Sequence, residues 1–502
     1  MRKAHHTYMN FSLHKLIDEL KYDPKNPLVF NSGFFLVFFA VFLLIYLVLY
    51  KKATVRLYFL TLFSLYFFYK ASNWYVVFLL IAAVADYNLS HLIYNATDSQ
   101  KKKWLMITSV TLNLALLFTF KYTNFFIDTF NGIASAHISP VKLILPVGIS
   151  FYTFENLSYT VDVYRGTFKP VNRFIDYLFF LSFFPKLMMG PIIRAADFIP
   201  QINREPFVGN RQLGEGLYLL CSGIIKKIVI SDFLSANYVS YIFDDPSKHT
   251  GIECLFAVYC YAMVIYCDFS GYSDMARGIA KWIGFDININ FLSPYQSSNI
   301  TEFWRRWHIS LSTWLKDYLY IPLGGNRKGK FNQYKNLFIT MLLGGFWHGA
   351  NWNFIFWGAL HGTALALDKW RAELAKKLRL PFHIPSGLAK AIGIIITFHF
   401  VCFCWIFFKC TTFHDSWVMI GEIFHNFRPD VAGALLQHYT PVAIILLLAF
   451  VLHSIPVKTE ERFQARMATW PLAAMLSYFL ICLYIAIEFK QPVPIKPVYL
   501  QF

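Results

Sequence analysis

Apolar runs recur along almost the whole chain. Windows of about 20 apolar residues, enough to cross a hydrocarbon core of about 30 Å, fall at 31–50, 74–94, 104–121, 214–231, 388–409, 440–456 and 470–488. A second set, 56–70, 141–160, 176–193, 251–270, 304–322, 336–348 and 351–368, is shorter or is broken by Gly, Pro or charge. Broken helices persist at membrane depth only where protein or a water-filled cavity covers their freed backbone groups. The pattern therefore predicts an all-α polytopic membrane protein with a cavity in the middle third of the chain. Ahead of the first run, Met9, Leu13, Leu16, Ile17 and Leu20 recur on one helical face, so residues 1–27 read as an extension carrying an amphipathic helix at the membrane interface. Residues 28–502 read as one membrane domain.

Composition agrees with that pattern. Of 502 residues 56% are hydrophobic and 15% charged, against about 25% charged in ordinary soluble domains. The net charge of +17 sits in short loops beside apolar runs, where it orients the chain rather than binding nucleic acid. Lys51, Lys52 and Arg56, then Lys101, Lys102 and Lys103, predict cytoplasmic loops with the N-terminus outside. Lys369, Arg371, Lys376, Lys377 and Arg379 mark another inner loop, 410–439 with only Arg428 an outer one, and Lys458, Arg462 and Arg466 an inner one, which leaves the C-terminus outside. The first run is too long for a signal-peptide core and has no small-residue cleavage site, so it stays as an anchor. The eight Cys lie mostly within apolar stretches, and Cys402-x-Cys404 lacks the flanking ligands of a zinc site.

Against this background GGFWHGANWNFIFWGALHG (344–362) stands out, because His348 interrupts a run apolar enough for a membrane. The basic loop 324–335 precedes it and another starts at Lys369, so the segment between must enter and return. Lys335 to His348 is 13 residues, roughly 20 Å of helix, which places His348 near the tip of a re-entrant hairpin. An ionisable side chain at that depth is a functional hypothesis by default; burial disfavours its charged form and leaves a neutral imidazole able to accept a proton from a hydroxyl or thiol. The competing account is a histidine that bridges two helices by hydrogen bonds. Trp347 supplies an aromatic wall, Gly344, Gly345 and Gly349 permit close approach, and Asn351 shares the helical face at i+3.

A second histidine lies in SNITEFWRRWHISLSTWLKDYLYIPLGG (298–325). Asn299 and Glu302 predict a capped helix starting near Ile300. On it Trp304, His308 and Ser312 share a face and Glu302 can pair with Arg306; an interfacial helix with an aromatic belt explains the same spacing. In CDFSGYSDMARGIAKWIGFDI (267–287) Asp274 and Arg277 form a self-satisfying pair, while Asp268, without a local partner, is a candidate to orient an imidazole. Arg305, Arg306, Arg327, Lys328 and Lys330 can attract a phosphate-bearing donor or anionic lipid. His361 reads as structural. HExxH, GxSxG and P-loop patterns are absent from the sequence.

These stretches, with LPVGISFYTFENLSYTVDVYRG (145–166), FFPKLMMGPIIR (183–194) and FHFVCFCWIFFK (398–409), resemble the membrane-bound O-acyltransferase (MBOAT) family and its bacterial alginate O-acetylation branch. The resemblance implies a bundle of transmembrane and re-entrant helices around a central tunnel in a multi-pass protein of the bacterial inner membrane, with its catalytic core at about 141–370. It implies His348 as the catalytic residue and His308 at the second active-site position; the residues around them, Trp347, Asn351, Trp304, Trp307, Asp268 and Arg305, are the candidate substrate contacts. Neither a metal nor a tightly bound cofactor is expected. The expected partners are an acyl thioester donor (acetyl-CoA or an acyl carrier) on the cytoplasmic side, and a periplasmic SGNH-type acetyltransferase or polysaccharide acceptor. D-alanyl transfer of the teichoic-acid type, and a transporter or flippase of an acylated substrate, stay open as alternatives. Residues 1–27 lie outside the family pattern.

Overall fold

The computed structural model describes residues 19–23, 28–30, 32–378, 385–493 and 495–498. Among them all regular structure is helical, as the apolar pattern requires. The helices that position the site are α1 (Gly33–Leu49), α2 (Ala53–Ser72), α3 (Val76–Asn95), α4 (Ser99–Lys121), α5 (Ile149–Arg165), α6 (Asn210–Ile224), α7 (Gly251–Trp282), α8 (Ile300–Arg306), α9 (Ile309–Leu315), α10 (Lys330–His348), α11 (Trp352–Leu378), α12 (Ser386–Lys409), α13 (Thr440–His453), α14 (Val457–Met467) and α15 (Leu472–Glu488). The stretches Ala53–Asn95, Ser99–Lys121, Gly251–Trp282 and Ser386–Lys409 are each long and apolar enough to cross a membrane. Leu44, Val48, Ile81 and Leu447 are among the large apolar side chains left on the outside, which lipid rather than water must cover. All eight cysteines are buried thiols.

Two expected interruptions are continuous helices. α2 runs unbroken for 20 residues because its charges sit at its ends on backbone carbonyls: Arg56 donates to Tyr50, Ile202 and Arg204 oxygens, and Lys70 to those of Glu19 and Lys21. α7 runs for 32 residues through Gly271 and Gly278. These glycines form a packing seam rather than a break: a Cβ on Gly278 would lie 3.0 Å from Leu220 N, and one on Gly271 2.8 Å from Gly223 O, so α6 approaches at backbone distance. Beyond α6 the helix widens into a π stretch over Ile225–Asp232. That winding places residues five apart on one face, and Lys227 Nζ reaches Asp232 Oδ1 at 2.7 Å.

α10 and α11 form the hairpin that carries His348. Gly345, Gly358 and Gly362 let the two backbones meet: a Cβ on Gly345 would lie 2.9 Å from Gly358 Cα, and one on Gly362 2.9 Å from Phe338 Cα. A Lys330–Glu373 ion pair of 2.5 Å closes its base. The hairpin is longer than the sequence suggested. α10 has 19 residues and α4 has 23, about 28 and 34 Å of helix; both start at basic clusters and end against each other. His348 therefore sits at the far end of α10 from the basic loop that precedes it, where α4 also ends. The amphipathic segment expected at Met9–Ile17 lies outside the described residues; just after it, the Leu20 carbonyl accepts from Tyr66 Oη at 2.9 Å.

Candidate active site

The last carbonyls of a helix need partners from outside it, and α4 supplies those of α10. Lys121 Nζ donates to Trp347 O at 2.7 Å and His348 O at 2.9 Å, and Tyr122 Oη donates to Phe346 O at 2.9 Å. A cation thus meets the negative end of the α10 dipole and pins the residue that carries the imidazole. The chain then turns sharply, with Phe354 packed where a Gly349 side chain would stand. Asn351 does not share a helical face with His348. It lies in the turn, where its Oδ1 accepts from Asn353 N at 2.9 Å and its Nδ2 donates to Thr411 O at 3.0 Å, capping α11.

His308 also departs from expectation. Asn299 caps α8 as predicted, accepting from Glu302 N at 2.8 Å, and Glu302 pairs with Arg306 at 2.6 Å. The helix nevertheless stops at Arg306 and restarts at Ile309, with His308 between them in the left-handed region at φ 42°. Trp304, His308 and Ser312 therefore share no continuous face. The break is held from outside: Ile309 N donates to Asn290 O at 3.0 Å, Ser310 Oγ to Asn290 Oδ1 at 2.6 Å, and Leu292 N to Arg306 O at 3.0 Å. Left-handed backbone at a non-glycine residue is costly and persists where its surroundings impose it. Here it turns the His308 ring inward against Phe269, 4.6 Å between ring centres.

The two imidazoles flank one indole. Trp347 lies 4.9 Å from the His348 ring and 6.5 Å from that of His308; His308 is fully buried and His348 is 4% exposed. Trp357 and Phe408 meet the His348 ring edge-on at 5.1 and 5.3 Å. Trp304 Nε1 donates to His361 Nδ1 at 3.3 Å, so the His361 proton is on Nε2. That N–H and the indole N–H groups of Trp347 and Trp357 are buried with no hydrogen-bond partner among the described residues. Trp307 stacks on Phe303 at 5.6 Å and meets Trp405 at a tilt, 5.0 Å between ring centres, and builds the wall behind.

Cavities lie on both sides of this centre. One, of 360 Å³, is lined by Gly349, Asn351, Phe408, Lys409 and Asp268 and reaches the turn after His348. Asp268 does not orient an imidazole: its Oδ1 accepts from Lys227 at 2.6 Å and its Oδ2 from Val498 N at 2.8 Å. The other, of 620 Å³, is lined by Arg165, Arg194, Asp317 and Tyr318 beside the basic loop that precedes α10. From it a file of rings leads inward: Tyr318 to Trp314 at 5.2 Å, Trp314 to Phe154 at 3.9 Å, Phe154 to Trp347 at 5.0 Å. Arg165 and Arg194 cover the Tyr318 ring at 5.3 and 5.4 Å. Arg305 is exposed, while Arg306 and Lys330 are held in ion pairs. Sequence reasoning missed Lys121, Trp357, Arg165 and Arg194, although both arginines lie at or next to the end of stretches singled out there, VDVYRG and GPIIR.

Two buried histidines thus flank one tryptophan inside a helical bundle whose apolar spans suit a membrane. Residues 171–413 match the MBOAT, membrane-bound O-acyltransferase family. The peptidoglycan O-acetyltransferase of Helicobacter pylori is 36% identical over 383 residues, 71% of each chain. The probable alginate O-acetylase AlgI of Pseudomonas aeruginosa is 41% identical over 362 residues, 70% of this chain and 66% of that one. The teichoic acid D-alanyltransferase of Bacillus subtilis is 30% identical over 293 residues, 55% of this chain and 72% of that one. The chain belongs to the membrane-bound O-acyltransferase family: it is a multi-pass membrane protein and an O-acyltransferase.

Proposed function

We propose that this O-acyltransferase takes an acetyl group from a thioester donor on the cytoplasmic side of the bacterial inner membrane and delivers it outside for O-acetylation of a polysaccharide. The observation that carries the reading is His348, held at the end of α10 by Lys121 between two cavities on opposite sides. Relatives named for peptidoglycan and alginate acetylation at 36% and 41% identity favour acetyl over D-alanyl transfer, named in a relative at 30%.

The donor arm enters by the Arg165–Arg194 cavity and its carbonyl comes to rest beside Trp347. A hydroxyl of the acceptor enters by the Asn351 cavity. Neutral His348 takes the hydroxyl proton as the oxygen attacks the carbonyl, a step worth about 10² to 10⁴-fold, and His308 holds the second side of the indole. The N–H groups of Trp347 and Trp357 receive the oxyanion, each such donor being worth about 10² to 10³-fold. As the intermediate collapses the carbon–sulfur bond breaks, and the imidazolium returns the proton to the departing thiolate. The acceptor is the polymer itself or a periplasmic SGNH-type acetyltransferase that completes the transfer. The test is purified protein in detergent with radiolabelled acetyl or D-alanyl thioester and a soluble hydroxyl acceptor. Acetyl ester formation supports the reading; D-alanyl ester instead, or movement of uncleaved substrate across proteoliposomes without transfer, overturns it.

A further inference from the structure

A third cavity, of 390 Å³, lies away from the two histidines, between α6 and α7 on one side and α13, α14 and α15 on the other. Its size is that of a small-ligand site. Ile225, Ile230 and Ala449 make its walls apolar, and its rim is both apolar and exposed: Leu452 is 42%, Ile455 37% and Phe463 39% accessible. Beside that rim runs the amphipathic helix α14, whose Lys458, Arg462 and Arg466 are exposed. Apolar side chains next to a basic helix at a span end are the signature of a surface that meets lipid headgroups.

The inner end of the cavity is polar and rich in donors. His453 is 5% exposed. Tyr295 N donates to its Nε2 at 3.1 Å, so the neutral ring carries its proton on Nδ1, and that N–H has no hydrogen-bond partner among the described residues. Buried donors are otherwise satisfied by protein, water or ligand. Lys226 gives one of its three donors to Asp274 Oδ2 at 2.6 Å, and Ser222 Oγ lies 3.5 Å from the same oxygen. The acid of the cavity, Glu460, is engaged by Tyr218 Oη at 3.0 Å. Surplus donors at one end, apolar walls at the other and a basic mouth fit a head of phosphate and ester oxygens on a hydrocarbon chain.

We propose that this cavity holds a glycerophospholipid of the adjoining leaflet, one acyl chain between α7 and α13 and its phosphodiester oxygens at Lys226, Ser222 and His453. The inference uses no step of acyl transfer. The full chain is purified, delipidated in detergent, and titrated with phosphatidylglycerol, phosphatidylethanolamine or sn-glycerol 3-phosphate, with bound molecules counted by native mass spectrometry. A single retained phospholipid, weakened about tenfold in Ser222→Phe and not displaced by sn-glycerol 3-phosphate, supports the proposal. Leu452→Trp, at an exposed position that leaves the fold intact, blocks the mouth and gives the same loss. Undiminished lipid retention in both variants, displacement by sn-glycerol 3-phosphate, or no retained phospholipid overturns it.

Discussion

Lys121→Met tests whether His348 is positioned from α4. The substitution keeps most of the side-chain length but removes the donor, and leaves the carbonyls of Trp347 and His348 without the hydrogen bonds of 2.7 and 2.9 Å that cap α10. Each buried acceptor left unmade costs about 1 to 3 kcal/mol. Lys121 is half-buried, so the expected loss of stability is taken near the lower end, about 2 kcal/mol in all. The larger effect is geometric. If the helix end frays by one residue, the imidazole moves by about 1.5 Å, and a shift of about 1 Å costs about a hundredfold in rate. Initial rates of acetyl transfer in detergent, beside a thermal unfolding curve, separate the two. Lys121→Met loses about a hundredfold in kcat with little change in donor KM, Lys121→Arg recovers most of it, and Tyr122→Phe, which forfeits one bond to Phe346 O, loses about 1 kcal/mol of stability and little rate. Wild-type kcat in Lys121→Met refutes the positioning role.

Two further substitutions probe the frame around the site. Gly345→Val forces α10 and α11 apart where Gly358 Cα leaves 2.9 Å for a Cβ; overpacking of about 1 to 3 kcal/mol lowers both the unfolding midpoint and acetyl transfer, and an unchanged midpoint contradicts the close packing. Glu155 and Lys186 form a buried pair of 2.5 Å, with Ile193 N on the second carboxylate oxygen. Glu155→Leu alone strands a charge and costs about 3 to 5 kcal/mol, whereas Glu155→Leu with Lys186→Met costs much less, as denaturation of the single and double variants in one detergent will show; equal losses argue against the pair.

The long uniform spans were legible in the sequence because periodicity and length suffice for them: 104–121 and 388–409 became α4 and α12. The breaks were not, because a glycine or a charge has opposite meanings in different surroundings. The stretch 251–270 read as interrupted yet lies within the continuous α7, whose Gly271 and Gly278 form its contact surface with α6, while nothing local announced the break at His308, which Asn290 imposes from a separate loop. His348 and Trp347 stood out by their chemistry. Lys121 did not, because its role exists only once α4 and α10 end side by side. Asp268 looked unpartnered for the same reason: Lys227 is 41 residues away along the chain.

Sided proteoliposomes test the central claim most directly. With radiolabelled acetyl thioester confined to the side of the basic loops and a hydroxyl acceptor confined to the other, the account predicts labelled ester only in the acceptor compartment. It also predicts a loss of about 10² to 10⁴-fold in His348→Ala whose unfolding profile stays that of the wild type. Ester formed at the wild-type rate by His348→Ala, or only when donor and acceptor share one compartment, contradicts it.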